Sequence, residues 1–71
     1  MSEEVLAEMV ANVWKVLVSP GDKVEEGDAL CILESMKMEI PVEATASGTI
    51  SEVGVVEGGL VQEGDVIAVI D

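Results

Sequence analysis

The sequence has no histidine, arginine, tyrosine or phenylalanine, and Trp14 is its only aromatic residue. Without histidine, neither a Ser/His nor a Cys/His nucleophile can be assembled. A zinc site lacks its usual ligands, because the chain has one cysteine, Cys31, and no histidine. The carboxylates show no calcium-loop spacing. We therefore expect a protein that is not itself an enzyme, with its fifteen acidic residues spread mainly over a solvated surface.

Positive charge is also scarce, since the chain has three lysines but fifteen acidic residues, and its formal net charge is −12. Phosphate and anionic lipid binding need clustered Lys and Arg, so we expect neither nucleic acid nor membrane partners. No apolar run approaches the ~20 residues of a membrane span, and the acidic beginning is unlike a signal peptide. A single cysteine excludes an internal disulfide and fits a reducing compartment. These absences together predict a cytoplasmic protein.

Hydrophobic residues nevertheless make up 49% of the 71 residues, which excludes a disordered acidic tail and suits one small domain over residues 1–71. A shift of 37 residues aligns Val13 with Ile50 and Glu34 with Asp71 without a gap. Identical across that shift are Val16/Val53, Val18/Val55, Gly21/Gly58, Val24/Val61, Glu26/Glu63, Gly27/Gly64 and Asp28/Asp65. The repeat predicts two halves, about residues 5–35 and 40–71.

Each half is typical of short β-strands separated by glycine turns. Apolar residues alternate at period two, and no segment keeps helical periodicity between its Gly and Pro residues. We therefore predict an all-β flattened barrel or sandwich of two antiparallel sheets related by a pseudo-two-fold axis. Gly21 and Gly58 should take positive φ in turns. Pro41 should lie in an edge strand or at a bulge. Trp14, in phase with Val16, should enter the core, although its counterpart Ser51 in the other half leaves room for partial exposure and contact with a partner.

The segment between the halves, Glu34-Ser35-Met36-Lys37-Met38-Glu39, departs from this regular pattern. A tight hairpin centred here places Met36 and Lys37 at its two central positions. Two exposed methionines gain nothing from burial, and Glu34 would face Glu39 across the ladder, where like charges destabilise. Broken local rules at one place favour a functional site. In the alternative, Met36 or Met38 folds back onto the core and Lys37 only protects a strand edge.

The same six residues resemble the biotin attachment motif of biotin carboxyl carrier proteins. The resemblance extends from about Val5 to Asp71 and is closest to the short stand-alone bacterial biotin/lipoyl attachment proteins. Ser35 stands where the family more often has alanine, and the chain leaves no room for the thumb loop of some carriers. The segments that carry the wider resemblance are Val16-Leu17-Val18, Gly21-Asp22-Lys23-Val24, Gly27-Asp28, Gly48-Thr49-Ile50 and Gly64-Asp65.

The resemblance implies two four-stranded sheets in a barrel-sandwich hybrid of the biotinyl/lipoyl type, monomeric in isolation. It implies covalent biotin on Lys37, flanking recognition by Met36 and Met38, and a hairpin context set by Glu34, Ser35 and Glu39. A biotin protein ligase would attach the biotin; because a free lysine is protonated at neutral pH, that ligase must deprotonate it. A biotin carboxylase would then add a carboxyl group to the attached biotin, and a carboxyltransferase would pass that group to an acceptor.

Two other functions stay open on the sequence. A lipoyl group could occupy the same lysine, although lipoyl domains of this family usually carry Asp-Lys-Ala where this chain has Met-Lys-Met. Alternatively, an unmodified interaction domain would use its methionine-rich hairpin as a binding surface.

Overall fold

The computed structural model describes residues 2–71, which contain eight β-strands and no helix. This confirms the predicted all-β class. Residues 2–71 contain no helix that is long and apolar enough to cross a membrane. The strands are β1 (Glu3–Leu6), β2 (Ala11–Val16), β3 (Lys23–Val24), β4 (Ala29–Ser35), β5 (Met38–Glu43), β6 (Gly48–Val53), β7 (Leu60–Val61) and β8 (Val66–Ile70).

The strands form two antiparallel four-stranded sheets with the orders β1-β8-β6-β3 and β5-β4-β2-β7. A shift of 37 residues converts the first order into the second, strand by strand, as a pseudo-two-fold axis requires. Loop hydrogen bonds obey the same relation. The N–H of Ala7 donates to the Asp65 carbonyl at 2.8 Å, and the N–H of Ala44 donates to the Asp28 carbonyl at 2.7 Å. Pro41 lies in β5, an edge strand as predicted, where its missing N–H costs no ladder bond.

The core lies between the two sheets and is almost entirely aliphatic. Leu30 and its counterpart Ile67 are both fully enclosed, which follows from their inward-facing positions in central strands. Burial of such a side chain stabilises the fold by about 1.5–3 kcal/mol. The buried residues are Val5, Ala7, Ala11, Val13, Val24, Leu30, Cys31, Leu33, Ala44, Ile50, Val55, Val61, Ile67, Ala68 and Ile70.

Trp14 does not enter the core, so the core prediction was wrong and the alternative of partial exposure is confirmed: 43% of the residue is exposed. A β-bulge is the reason. The β2–β4 register passes directly from Val13 opposite Leu33 to Lys15 opposite Ile32, so Trp14 is an extra residue that faces outward. The Lys15 ammonium lies 5.5 Å from the centre of its ring. The other half has the same bulge between Ile50 and Glu52, with Ser51 as the extra residue.

The two predicted turn glycines are confirmed, since φ is +97° at Gly21 and +84° at Gly58. Gly27 and Gly64 occupy a second pair of turns with φ of +94° and +91°. A Cβ at any of the four would meet no atom within 4 Å. Only backbone conformation, and not space, therefore selects glycine at these positions.

The hairpin after β4 lies at the opposite end of the molecule from the beginning of β1 at Glu3 and the end of β8 at Ile70. Glu26, just before β4, donates its N–H to the Ser47 hydroxyl at 3.2 Å, and Gly48 packs on the Asp71 carbonyl. The seven residues of β4 then run about 23 Å to the hairpin. The longest dimension of the molecule is 33 Å, so the hairpin stands at one extremity.

Candidate functional site

The hairpin between β4 and β5 turns at Met36 and Lys37, as predicted. Their φ angles are +53° and +66°, which places both residues in the left-handed region required by a type I′ turn. Glycine and asparagine adopt this conformation readily, whereas other L-residues pay roughly 1–2 kcal/mol each. The turn therefore holds Met36 and Lys37 despite an unfavourable backbone, and both side chains are exposed.

A regular ladder supports this turn from beneath. Ser35 lies opposite Met38, Glu34 opposite Glu39, and the β4–β5 pairing continues to Ala29 opposite Glu43. β4 is also paired on its other side with β2, so the base of the hairpin belongs to a four-stranded sheet. The ladder therefore holds the Lys37 backbone in place. The amine at the end of the flexible four-carbon side chain can still move relative to the domain.

The two methionines face solvent, since Met36 is 91% and Met38 63% exposed. The alternative in which they fold onto the core is therefore wrong. Their thioethers flank the lysine on both sides, where they gain nothing from burial. Flexible, polarizable methionine side chains suit contacts with a partner surface.

Glu34 and Glu39 bring two exposed carboxylates together at the base of the turn. Cβ atoms of directly opposed residues in an antiparallel ladder are about 4.5–5.5 Å apart, so the two negative charges repel. Lys37 follows Glu34 by three residues and precedes Glu39 by two, and it adds one positive charge to this segment. The site is thus locally acidic around a single cation.

A shallow cleft of about 400 Å³ opens beside the hairpin. Sequence reasoning missed two of its residues, Val10 and Leu60, which are 61% and 62% exposed. A comparison of the two halves could have indicated them, because the positions 37 residues away hold Ser47 and Lys23. The cleft is lined by Val10, Ala11, Asn12, Glu34, Ser35, Met36, Lys37 and Leu60.

A larger cavity lies elsewhere, between the edge strands β1 and β5. It measures about 1040 Å³, and its lining includes Ile40 and Pro41 but neither Met36 nor Lys37. Within residues 2–71, no three or more His, Cys, Asp or Glu side chains are grouped so as to hold a metal ion. The features that depart from the regular fold, a turn with positive φ at Met36 and Lys37 and two exposed methionines, therefore lie together at the hairpin.

The hairpin suits a covalently attached cofactor that carries a carboxyl group. The primary amine of Lys37 can form an amide with such a group, and its exposure at the tip leaves room for a large substituent. Lys15 and Lys23 are exposed too, but they lie in β2 and β3, on the body of the sandwich. Cys31, the one thiol, is buried and cannot compete as an attachment point.

Comparisons with known proteins agree with this geometry. Residues 3–70 match the Biotin_lipoyl family, described as "Biotin-requiring enzyme". A biotinylated protein TB7.3 homolog of Mycobacterium leprae is 56% identical over 70 residues, which cover 99% of both chains. A biotin/lipoyl attachment protein of Bacillus subtilis is 53% identical over 60 residues, covering 84% of this chain and 82% of the relative.

Among solved structures, the urea carboxylase of Kluyveromyces lactis superposes with a TM-score of 0.92 at 38% identity. The match covers all of this chain and 6% of the carboxylase, so the likeness concerns one small part of that enzyme. Sequence, fold and hairpin geometry therefore agree. The chain belongs to the biotin/lipoyl attachment family.

Proposed function

We propose that residues 1–71 form a single carrier domain whose Lys37 is biotinylated and carries carboxyl groups between two active sites. The observation that supports this most directly is the turn itself. Met36 and Lys37 hold an unfavourable positive φ, exposed at one extremity of the molecule, where an Asn-Gly turn would be more stable. A chain that keeps a lysine there under strain uses its side chain.

The domain's own residues do three things in this function. The β4–β5 ladder fixes the Lys37 backbone, and the methionines offer contacts around it. Lys37 supplies the Nζ, which loses a proton to the ligase and attacks the carboxyl carbon of biotin that the ligase has activated with ATP as an adenylate. The amide bond forms as the bond from that carbon to the phosphate oxygen breaks and AMP leaves. Once attached, biotin supplies a ureido ring that accepts and releases a carboxyl group. Amide formation removes the lysine charge and leaves Glu34 and Glu39 as the charged groups at the tip.

The partners in this proposal are a biotin protein ligase, a biotin carboxylase and a carboxyltransferase, all cytoplasmic, with the carrier itself monomeric. Its net charge of −12 supports docking against basic surfaces, which speeds encounter. The carboxylase assignment is supported by larger enzymes in which a short segment matches this chain. A pyruvate carboxylase of Bacillus subtilis is 46% identical over 67 residues, which make up 6% of that protein.

Incubation with a biotin protein ligase, ATP and biotin tests the site, with streptavidin capture and intact mass as readouts. Wild type should gain one biotinyl group, and Lys37→Arg should gain none. The matched controls Lys15→Arg and Lys23→Arg, which change the other two lysines, should be modified like wild type. Capture of the Lys37→Arg variant would overturn the assignment.

A lipoyl group on Lys37 is the second candidate, since the Bacillus subtilis relative is named for both attachments. The intact mass of the protein purified from its native cell distinguishes the two groups. A biotinyl increment supports the proposal, and a lipoyl increment replaces it. An unmodified mass would favour the interaction-domain alternative.

A further inference from the structure

One side of the sandwich is open, between β1 and β5. Each of these strands is the last in its sheet, so each has a free edge without a neighbouring strand. The cavity of about 1040 Å³ lies between the two edges, on the pseudo-two-fold axis, because its lining includes the symmetry-related pairs Val5/Val42 and Glu26/Glu63. The other two edge strands, β3 and β7, have two residues each and offer a partner little backbone to pair with.

The free edges of β1 and β5 differ in their backbone donors. The N–H and C=O of Ala7 both form hydrogen bonds with the turn that precedes β8. Alternation along β1 therefore directs the N–H groups of Leu6 and Glu4 to the free edge. The equivalent positions in β5 are Glu43 and Pro41, and proline has no N–H. The free edge of β1 thus presents two donors where that of β5 presents one.

The cavity combines an aliphatic interior with an acidic rim. Ile40 and Val42 are half-buried in its wall, so part of their apolar surface still meets water. The cleft beside the hairpin differs, since its carboxylate Glu34 is accompanied by Lys37. A cleft lined by charges of one sign concentrates the electrostatic potential. Within residues 2–71, the larger cavity is lined by no lysine and by five exposed glutamates, Glu4, Glu8, Glu26, Glu43 and Glu63.

These charges suit neither a metal ion nor a second copy of the chain. In the described part of the chain, residues 2–71, the carboxylates are not grouped so as to hold a metal ion, so the complementary positive charge is spread out. A second copy would bring the Glu3 and Glu4 of its own β1 against those of the first, and like charges destabilise paired strands. A polypeptide with separated basic side chains avoids both problems, and its backbone can pair with the free N–H groups of β1.

We propose that β1 accepts, as an additional strand, an extended segment of a partner protein in which lysine or arginine alternates with aliphatic residues. The aliphatic side chains of that segment cover Ile40 and Val42, and the basic ones lie among the glutamates of the rim. Met36 and Lys37 lie outside the cavity lining. A partner bound here therefore holds the domain by its side and leaves the hairpin free, whether or not Lys37 carries a group.

The test uses the full chain, labelled with ¹⁵N, and a short capped peptide in which lysine alternates with valine. The peptide should shift the amide signals of β1 and slow hydrogen exchange at Glu4 and Leu6, because their N–H groups become hydrogen-bonded. A peptide with serine in place of valine carries the same charge but cannot cover the aliphatic interior, so it should bind more weakly. Equally tight binding of the serine peptide would overturn the proposal, and equally tight binding of spermine would replace it by a polyamine site.

The pseudo-symmetry supplies matched variants. Glu4→Pro installs the residue that the other half holds at Pro41, so the variant should fold, which its ¹⁵N spectrum checks. It removes one free N–H together with one carboxylate, whereas Glu4→Gln removes the carboxylate alone. The dissociation constant of the lysine–valine peptide should rise about tenfold for Glu4→Pro and about twofold for Glu4→Gln. Glu52→Gln removes an exposed carboxylate outside the cavity and should leave the constant unchanged.

The outcomes separate this proposal from the carrier function. Equal constants for Glu4→Pro and Glu4→Gln would exclude strand pairing, and an equal loss for Glu52→Gln would show attraction to the overall charge; either result overturns the proposal. Biotinylation should proceed at the same rate with the peptide bound, and a slower rate would place the peptide at the hairpin instead. Absence of a biotinyl mass on Lys37 without peptide overturns the carrier function alone, because peptide binding is measured on the unmodified chain.

Discussion

Within residues 2–71, four turns reach positive φ with glycine, whereas the hairpin between β4 and β5 does so with Met36 and Lys37. Glycine takes this conformation without a Cβ clash, and the four glycine turns use it for that reason alone. The hairpin accepts strain at two consecutive residues and exposes both side chains. The contrast shows which turn only redirects the chain and which one carries a side chain for use.

The largest expected effect is at a glycine turn. Gly64→Val forces a β-branched residue to φ near +91°, where no neighbouring atom interferes, so the loss is pure backbone strain of about 1–3 kcal/mol. The melting temperature should fall by about 4–8 °C for each kcal/mol of unfolding free energy that is lost. Gly27→Val, its symmetric partner, should lose a similar amount, and Glu63→Ala in the same turn should change little. A melting temperature equal to wild type for both glycine variants would contradict the strain argument.

The reverse change sharpens the comparison from the other side. Replacing Met36-Lys37 by Asn-Gly gives the hairpin its preferred type I′ residues and should stabilise the domain by about 0.5–1 kcal/mol, because strain is relieved while the unfolded chain gains some entropy. Denaturant unfolding measures the gain, and biotin attachment should be lost. Lys37→Arg, which keeps the strain, should melt like wild type. A destabilised Asn-Gly variant would mean that the turn is not strained.

A smaller effect on stability, with a larger one on recognition, is expected at the flanking methionines. Met36→Asp with Met38→Ala removes two exposed thioethers and should change the unfolding free energy by no more than about 0.5 kcal/mol. Biotinylation should slow, and lipoylation by a lipoate ligase should improve. Equal rates with both ligases would remove the methionines from recognition.

Cys31 and Met36 should differ sharply in the accessibility of their sulfur atoms, in a protein without any substitution that alters stability. Burial raises the pKa of the Cys31 thiol, so the native protein presents even less thiolate than an exposed cysteine at the same pH. A thiol reagent at pH 8 should react with Cys31 only after denaturation. Dilute peroxide should oxidise Met36 in the native state, since its side chain is open to solvent. Rapid native labelling of Cys31 would show that β4 opens locally.

The sequence predicted the sheets well because glycine turns and apolar parity repeat together at one fixed shift. It failed at Trp14 because strict period-two counting assumes an unbroken ladder, and a bulge adds one residue without a sequence signal in its own strand. The polar counterpart Ser51 was the available warning. Val10 and Leu60 were missed for a different reason: the cleft forms only when β7 pairs with β2, far apart in the chain.

The hairpin itself was predictable in position and central residues, since it lies midway between the repeats. The exposure of its methionines needed the structure, because a hairpin side chain can fold in either direction. The attachment of biotin to Lys37 stays a prediction, and the lysine variants decide it.

The pairing of Glu3 with Ile70 has a consequence for how such a domain is built into larger proteins. The first and last strands leave the sandwich side by side, at the end remote from the hairpin. Any additional chain on either side would leave the domain at this end. The hairpin that carries Lys37 would then project away from the attached chain by the long dimension of the domain, 33 Å. The same unit can therefore be tethered, inserted or left alone without redesign of its interior.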